Sequence, residues 1–282
     1  GWFIYYRNAD LTVASIIAVA GVILSIYFGF QFPIELAENG VIGLSQLMFW
    51  FVVLMIYAAV ASVLPVNILL QPRDYLSTYI LFGSMGLAVL ALLWIHPELH
   101  TPAYRGGFSE EQGPVWPMLF VLVACGAVSG FHSLVAGGTT SKQLAVESQG
   151  KSIAYGGMLT EGAVAVVTVL LVSGGLYWVA PASGGIDMNT LGFRETLKSG
   201  GWILAYGHGF GNLVHQMIPL LSFTFASMIA VLALNTFVLT TLDSAVRITR
   251  FIVQESVGQR IVLFKNKYIC TVLVIFFSYL IG

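Results

Sequence analysis

The sequence has 282 residues, of which 57% are hydrophobic and 9% are charged, and its mean hydropathy is +0.87. A soluble domain carries about 25% charged residues, so this composition excludes a soluble globular enzyme. Twelve basic and thirteen acidic residues give a formal net charge of -1, which removes the electrostatic basis for nucleic-acid binding.

Long apolar runs separated by short charged segments occupy most of the chain. A helix needs about 20 mainly apolar residues to cross the hydrocarbon of a bilayer. We therefore predict an all-α, polytopic transmembrane bundle, a single domain over 1–282, with helices at about 11–30, 44–64, 75–95, 115–138, 153–180, 217–242 and 268–282. The chain begins at Gly1 rather than Met, and its last apolar run is short. We expect an internal fragment of a larger, transporter-sized protein.

Basic residues alternate between the two sides of the predicted bundle. Nine of the twelve fall in four alternate connections, the first of which contains Arg7, and the other three are Arg105, Arg194 and Lys198. Because connections rich in Lys and Arg stay in the cytoplasm, we expect the Arg7 end to be cytoplasmic.

The turn between the second and third predicted helices carries Arg73 and Asp74. We expect this adjacent pair to anchor the turn or to join a cytoplasmic gate.

The predicted helix 115–138 contains several residues that favour an interrupted helix, namely Gly126, Ser129, Gly130, His132 and Ser133. Broken backbone within a membrane occurs only where it faces protein or a water-lined cavity. Its freed amides and the positive end of a half-helix would bind an anionic group. Close helix packing is the alternative, because Gly126 and Gly130 form a GxxxG pair.

Glu161 lies about two turns inside the predicted helix 153–180. A charged residue at the centre of a membrane costs about 2.5–3.5 kcal/mol on insertion scales, so such a carboxyl is usually paired, protonated or hydrated. This position favours a role in proton coupling, and a structural hydrogen bond from a protonated Glu161 is the alternative.

The end of the predicted helix 217–242 carries Thr240, Asp243 and Ser244, which fall on one helical face. Three oxygen-bearing side chains on one face predict a sodium site. Alternatively, Asp243 carries a proton. The alternative is an ordinary helix end in which Asp243 pairs with Arg247 at i+4.

The connection 181–216 is long for a loop, and its glycine-rich second half, 202–216, predicts an amphipathic lid. The sequence has no P-loop, no GxSxG and no HExxH, so we expect no enzymatic activity. We also expect no metal site and no cofactor apart from a coupling proton or sodium ion.

Four stretches together resemble the carbon starvation protein A (CstA) family. They read ACGAVSGFHS at 124–133 followed by GTTSK at 138–142, LP at 64–65 with QPRDYLST at 71–78, YGGML at 155–159 with Glu161, and TLDSA at 241–245 with Arg247, Arg250 and Phe251. The resemblance runs from Tyr5 to about Glu255. It implies a larger multi-pass protein of the bacterial or archaeal plasma membrane, associated with uptake of peptides, and of pyruvate with protons, during carbon starvation.

The family is similar to the amino acid–polyamine–organocation transporters, which share an inverted repeat of five helices with two broken helices. The resemblance implies a partial inverted repeat of this LeuT-like kind in which 115–138 is the sixth helix. We expect a secondary active transporter whose partners are a small carboxylate or peptide substrate, the lipid bilayer, and further N- and C-terminal helices of the same protein. The expected substrate site is Gly126, Ser129, Gly130, His132 and Ser133, with Glu161, His132 and Asp243 as candidates for proton coupling.

Two other functions stay open at this point. One is a sodium-coupled carrier with its ion at Thr240, Asp243 and Ser244. The other is a membrane nutrient sensor that binds its ligand without transport.

Overall fold

The computed structural model describes residues 10–34, 45–66, 68–102, 104, 106–109, 113–128, 130–179, 187–259 and 261–281. The chain divides into two compact units. Unit 1 comprises Gly1–Gly83 and Leu232–Gly282, and unit 2 comprises Ser84–Val231.

The described residues are mostly helical. In chain order the elements are α1 (Leu11–Gln31), α2 (Gln46–Val63), α3 (Leu70–Ile95), a two-stranded antiparallel sheet of β1 (Phe108–Ser109) and β2 (Gly113–Pro114), α4 (Val115–Val128), α5 (Gly130–Val135), a π-helical turn at Ala136–Thr140, a 3-10 turn at Ser141–Gln143, α6 (Ser148–Gly175), α7 (Met188–Leu191), α8 (Phe193–Met217), α9 (Phe223–Ser256), a 3-10 turn at Val262–Lys265, and α10 (Lys267–Ile281).

Among the described residues, five helices are long and apolar enough to cross a membrane: α1, α2, α3, α6 and α9. Side-chain caps define where the first two begin. The Asp10 carboxylate accepts the amide of Thr12 at 2.9 Å, and the Ser45 hydroxyl accepts the amide of Met48 at 3.3 Å. These bonds satisfy amides that have no partner inside the helix. The all-α character predicted from the sequence is confirmed.

Charged residues that the sequence places in turns belong to helices in the structure. Helix α3 begins at Leu70, so Arg73 and Asp74 lie in its first turns and not in a tight turn. Pro72 is compatible with this position because the first turn of a helix does not need its amide. Helix α9 continues to Ser256, well beyond the predicted end at 242, because its charged residues are buried against neighbouring helices.

The interruption predicted around Ser129 lies outside the described residues. The backbone is α-helical up to Val128 and again from Gly130 to Val135. It then changes to π geometry at Ala136–Thr140 and to 3-10 geometry at Ser141–Gln143. Short π segments within α-helices often occur at functional sites.

The connection 181–216 is not a loop that carries a lid. It contains α7 and α8, and the second half of α8 is buried inside unit 2: Ala205, Tyr206, Phe210, Leu213 and Val214 are each at most 3% exposed. The glycine content misled the prediction. Gly201 supplies a positive φ of 66° at a kink, and the glycines that follow allow close packing.

Unit 2 is held together by the contact of α6 with α8. A Cβ on Gly175 would lie 2.3 Å from the carbonyl oxygen of Gly209, so the two backbones touch. The Asn212 side-chain amide donates to the carbonyl of Gly175 at 2.8 Å. The nearby histidine His208 contacts the carbonyl of Thr190 at 2.7 Å through Nδ1, which is a structural role.

We predict that Gly175→Ala lowers the free energy of unfolding by about 1–3 kcal/mol, because the added methyl forces α6 and α8 apart. The measurement is thermal unfolding of the purified protein in detergent. Gly157→Ala in the same helix is the control, since its methyl has nothing within 4 Å and alanine favours helix by up to about 1 kcal/mol. Equal stability of the two variants would contradict the close contact.

Candidate functional site

A buried ion pair within unit 1 joins α2 to the parts of α3 and α9 that belong to this unit. Arg73 of α3 donates through Nη1 to Oδ2 of Asp243 on α9 and also contacts the hydroxyl of Tyr57 on α2. The Tyr57 hydroxyl lies 3.3 Å from the same carboxylate oxygen. The Asp243 side chain is 0% exposed and that of Arg73 is 16% exposed. Such charges are stable in a low-dielectric interior only when they are paired and hydrogen-bonded.

Small residues bring these helices close enough for the pair to form. Ala58 and Ala61 of α2 are 0% exposed, and Ala58 packs with Val246 of α9 and Val274 of α10. Small side chains at helix contacts allow backbones in a membrane to approach closely. The tyrosine and the carboxylate therefore meet across a tight contact between α2 and α9.

A second carboxylate lies on the more open side of Arg73. Oδ1 of Asp74 is 3.6 Å from Nη2 of Arg73, and the Asp74 side chain is 44% exposed. The Thr240 hydroxyl of α9 donates to the carbonyl of Thr236 at 3.1 Å. One guanidinium thus serves one buried and one half-exposed carboxylate.

Arg247 caps helix α2 instead of pairing with Asp243. Its Nη2 donates to the carbonyls of Ala61 at 2.6 Å and Leu64 at 2.7 Å. The last carbonyls of a helix lack internal partners, and a cation there also favours the helix dipole. The predicted alternative of an Asp243–Arg247 pair at a helix end is wrong, because α9 does not end there and Asp243 finds its partner on α3.

The three residues of the predicted sodium site have different surroundings in the structure. Asp243 faces the Arg73 guanidinium, Thr240 bonds within its own helix, and Ser244 is half-buried. The cation that the structure places at this carboxylate is therefore an arginine.

Glu161 lies near the middle of α6 in unit 2, and its side chain is exposed. The hydroxyl of the adjacent Thr160 donates to the carbonyl of Gly156 at 2.8 Å. Proton coupling through Glu161 stays a prediction.

The predicted substrate segment is described only in part. The backbone at Gly126 and Gly130 is α-helical, while Ser129 lies outside the described residues. His132 and Ser133 are exposed on α5. Substrate binding at these five residues stays a prediction.

The sequence does not single out Tyr57, which lies among the other aromatic residues of an apolar span. Arg250 falls in the basic connection after the predicted helix 217–242, and its place on the same helical face as Asp243 is not predicted. A readable signal was present for Arg250: Asp243, Arg247 and Arg250 recur at i, i+4 and i+7, which is one face of a helix.

The five apolar helices and the buried charges between them define a multi-pass membrane protein. The family follows from comparison: the model of the family described as carbon starvation protein CstA matches residues 1–183 and 186–281. The chain belongs to the CstA family.

Its similar relatives are bacterial proteins with transporter names. The chain is 29% identical to the peptide transporter CstA of Campylobacter jejuni over 88% of this chain and 43% of the relative. It is 32% identical to the peptide transporter CstA of Helicobacter pylori, over 90% of this chain and 42% of the relative. It is 29% identical to the pyruvate/proton symporter BtsT of Escherichia coli, over 93% of this chain and 44% of the relative.

The chain thus spans less than half the length of these relatives. No solved structure matches it.

We predict that Asp243→Asn destabilises the protein by about 3–5 kcal/mol, because it leaves the Arg73 charge buried without its carboxylate. Asp243→Asn combined with Arg73→Gln should recover part of this loss, since both charges are then removed. Thermal unfolding of the four members of this double-mutant cycle gives the coupling free energy.

The control for this cycle is Glu255→Gln, an exposed carboxylate on the same helix, which should change stability by less than about 0.5 kcal/mol. Additive effects of the Asp243 and Arg73 substitutions would refute the buried pair.

Proposed function

We propose that this chain forms part of a secondary active transporter that takes up pyruvate or small peptides together with protons. The observation that carries the proposal is the family match over nearly the whole chain, with relatives named as a peptide transporter and as a pyruvate/proton symporter. The buried charges on spanning helices support it, because ionisable groups inside membranes usually mark substrate or ion pathways.

The substrate site proposed is the segment that contains Gly126, Ser129, Gly130, His132 and Ser133. Pyruvate and peptides both present a carboxylate, and backbone amides at a helix break bind such a group. The change to π and 3-10 geometry at 136–143 is consistent with an irregular segment in this region. A LeuT-like inverted repeat, with this segment as one of its broken helices, is the architecture that we propose.

Protons suit the described carboxylates better than sodium does. A sodium ion at Oδ2 of Asp243 would have to displace the Arg73 guanidinium and the Tyr57 hydroxyl, and at Oδ1 it would be repelled by the adjacent Arg73 charge. Glu161 forms no ion pair in the part of the chain that the structure describes, and it lies halfway along a 28-residue spanning helix, where ionisable residues usually mark ion pathways. We propose Glu161 as the main coupling residue, with His132 and Asp243 as further candidates.

The transporter proposed here resides in the plasma membrane with the Arg7 end in the cytoplasm, in accord with the distribution of basic residues. It works together with further helices, since the relatives are more than twice as long as the matched region.

The proposal is tested with the complete protein in proteoliposomes, using labelled pyruvate and a labelled dipeptide. An inward pH gradient should drive accumulation above equilibrium, with the same rate in sodium-free buffer. A strict requirement for sodium would indicate a sodium-coupled carrier. Binding without uptake or exchange would indicate a sensor and would overturn transport.

We predict that Glu161→Gln abolishes accumulation driven by the pH gradient, because a neutral amide cannot take up and release a proton. Exchange of labelled for unlabelled substrate should persist at more than about a tenth of the wild-type rate, since exchange needs no net proton movement. Glu147→Gln, an exposed residue at the start of the same helix, is the control. Full accumulation by Glu161→Gln would exclude Glu161 from coupling.

A further inference from the structure

Helix α9 carries a column of three charged residues on one face. Asp243, Arg247 and Arg250 are 0%, 6% and 5% exposed. Asp243 is paired with Arg73, and Arg247 donates to the carbonyls at the end of α2. The third residue, Arg250, completes the column without a comparable acceptor among the described residues.

The guanidinium of Arg250 has buried donors with nothing to bind. Its Nε and Nη1 atoms are buried, and neither has a hydrogen-bond partner within the part of the chain that the structure describes. Arg250 also forms no ion pair in the same part of the chain, where both ion pairs involve Arg73. A buried guanidinium without an acceptor is costly, and such a residue within a spanning helix is a candidate for function.

An aromatic ring covers one face of the Arg250 guanidinium. The Arg250 Cζ atom lies 4.8 Å from the ring centroid of Phe251, a cation–π contact that uses the face of the guanidinium. The N–H groups point outward in the guanidinium plane, where they bind acceptors. The Phe251 ring is 38% exposed, so the guanidinium lies close below the surface of unit 1.

The neighbouring cysteine does not supply the missing acceptor. Cys270 of α10 is fully buried near Arg250, and its thiol donates to the carbonyl of Phe264 at 2.8 Å. A thiol that donates its proton in this way is uncharged and leaves the arginine charge uncompensated.

We propose that Arg250 is an anion subsite that binds a carboxylate. Arg250 belongs to unit 1, whereas the predicted substrate segment belongs to unit 2. Binding of substrate at Arg250 rests on the proposed function. Arginine suits this ligand because its planar donors match the two oxygens of a carboxylate. The carboxylate comes either from the transported substrate or from an acidic side chain of the same protein beyond the described residues.

The sign of one stability change distinguishes these two sources. If Arg250 has no partner in the substrate-free protein, Arg250→Gln removes an uncompensated buried charge and leaves the melting temperature unchanged or higher. If an acidic side chain of the protein occupies the subsite, Arg250→Gln leaves that carboxylate without its cation and lowers the melting temperature. Arg250→Lys keeps the positive charge and should lower the melting temperature less.

The experiment uses the complete protein in lipid nanodiscs and measures melting temperature and equilibrium binding of pyruvate, of a dipeptide and of methyl pyruvate, which lacks the negative charge. For a substrate subsite, Arg250→Gln should weaken pyruvate binding at least about tenfold without affecting methyl pyruvate. The pyruvate affinity of Arg250→Lys should lie between those of the wild-type protein and Arg250→Gln, because lysine keeps the charge and loses the planar donors. Arg194→Gln, an exposed arginine of α8, is the control.

The proposal is overturned if Arg250→Gln matches Arg194→Gln in both melting temperature and pyruvate binding. If the wild-type protein binds neither pyruvate nor the dipeptide, the proposed function fails. The melting temperatures then still decide whether an internal carboxylate occupies Arg250, and an unchanged or raised value would overturn the subsite as well.

Discussion

The ion pair between Arg73 and Asp243 is the constraint around which unit 1 is arranged. A fully buried carboxylate in a spanning helix requires a cation and a hydrogen-bond donor at fixed positions, and α3 and α2 supply them through Arg73 and Tyr57. The pair needs closely packed helices, which the buried alanines of α2 allow. The positions of Arg73 and Tyr57 on their helices and the small side chains of α2 thus together allow the charge of Asp243 to be buried.

Much of the fold can be predicted from hydropathy, because spanning helices must be long and apolar. The predicted 11–30 and 44–64 agree with α1 and α2 within two residues at each end. The ends of α3 and α9 could not be found this way, since charged residues were taken as marks of the water interface. Arg73, Asp243 and Arg247 neutralise one another or bind carbonyls, so their helices continue through them. The buried α8 was missed because its glycines resemble those of a loop.

The sequence indicates which residues belong to the candidate site, but it does not indicate which of them contact one another. Asp243, Arg73 and Asp74 were all recognised as unusual, but Arg73 and Asp243 are 170 positions apart in sequence, and no local spacing indicates that they meet. The same holds for Tyr57, which is 186 positions from Asp243. Family membership came from contiguous stretches of sequence, which a single chain displays directly, whereas pairing between distant helices depends on their packing.

The bond of Arg247 to the end of α2 has a consequence for motion. Its two donor–acceptor distances are 2.6 and 2.7 Å, so a relative slide of about 1.5 Å, the rise of a single helical residue, is enough to break both. The two carbonyls would then lose the donor that satisfies them at the end of the helix. Sliding of α9 along α2 near this junction therefore carries the cost of two lost hydrogen bonds, which favours movement of the two helices together.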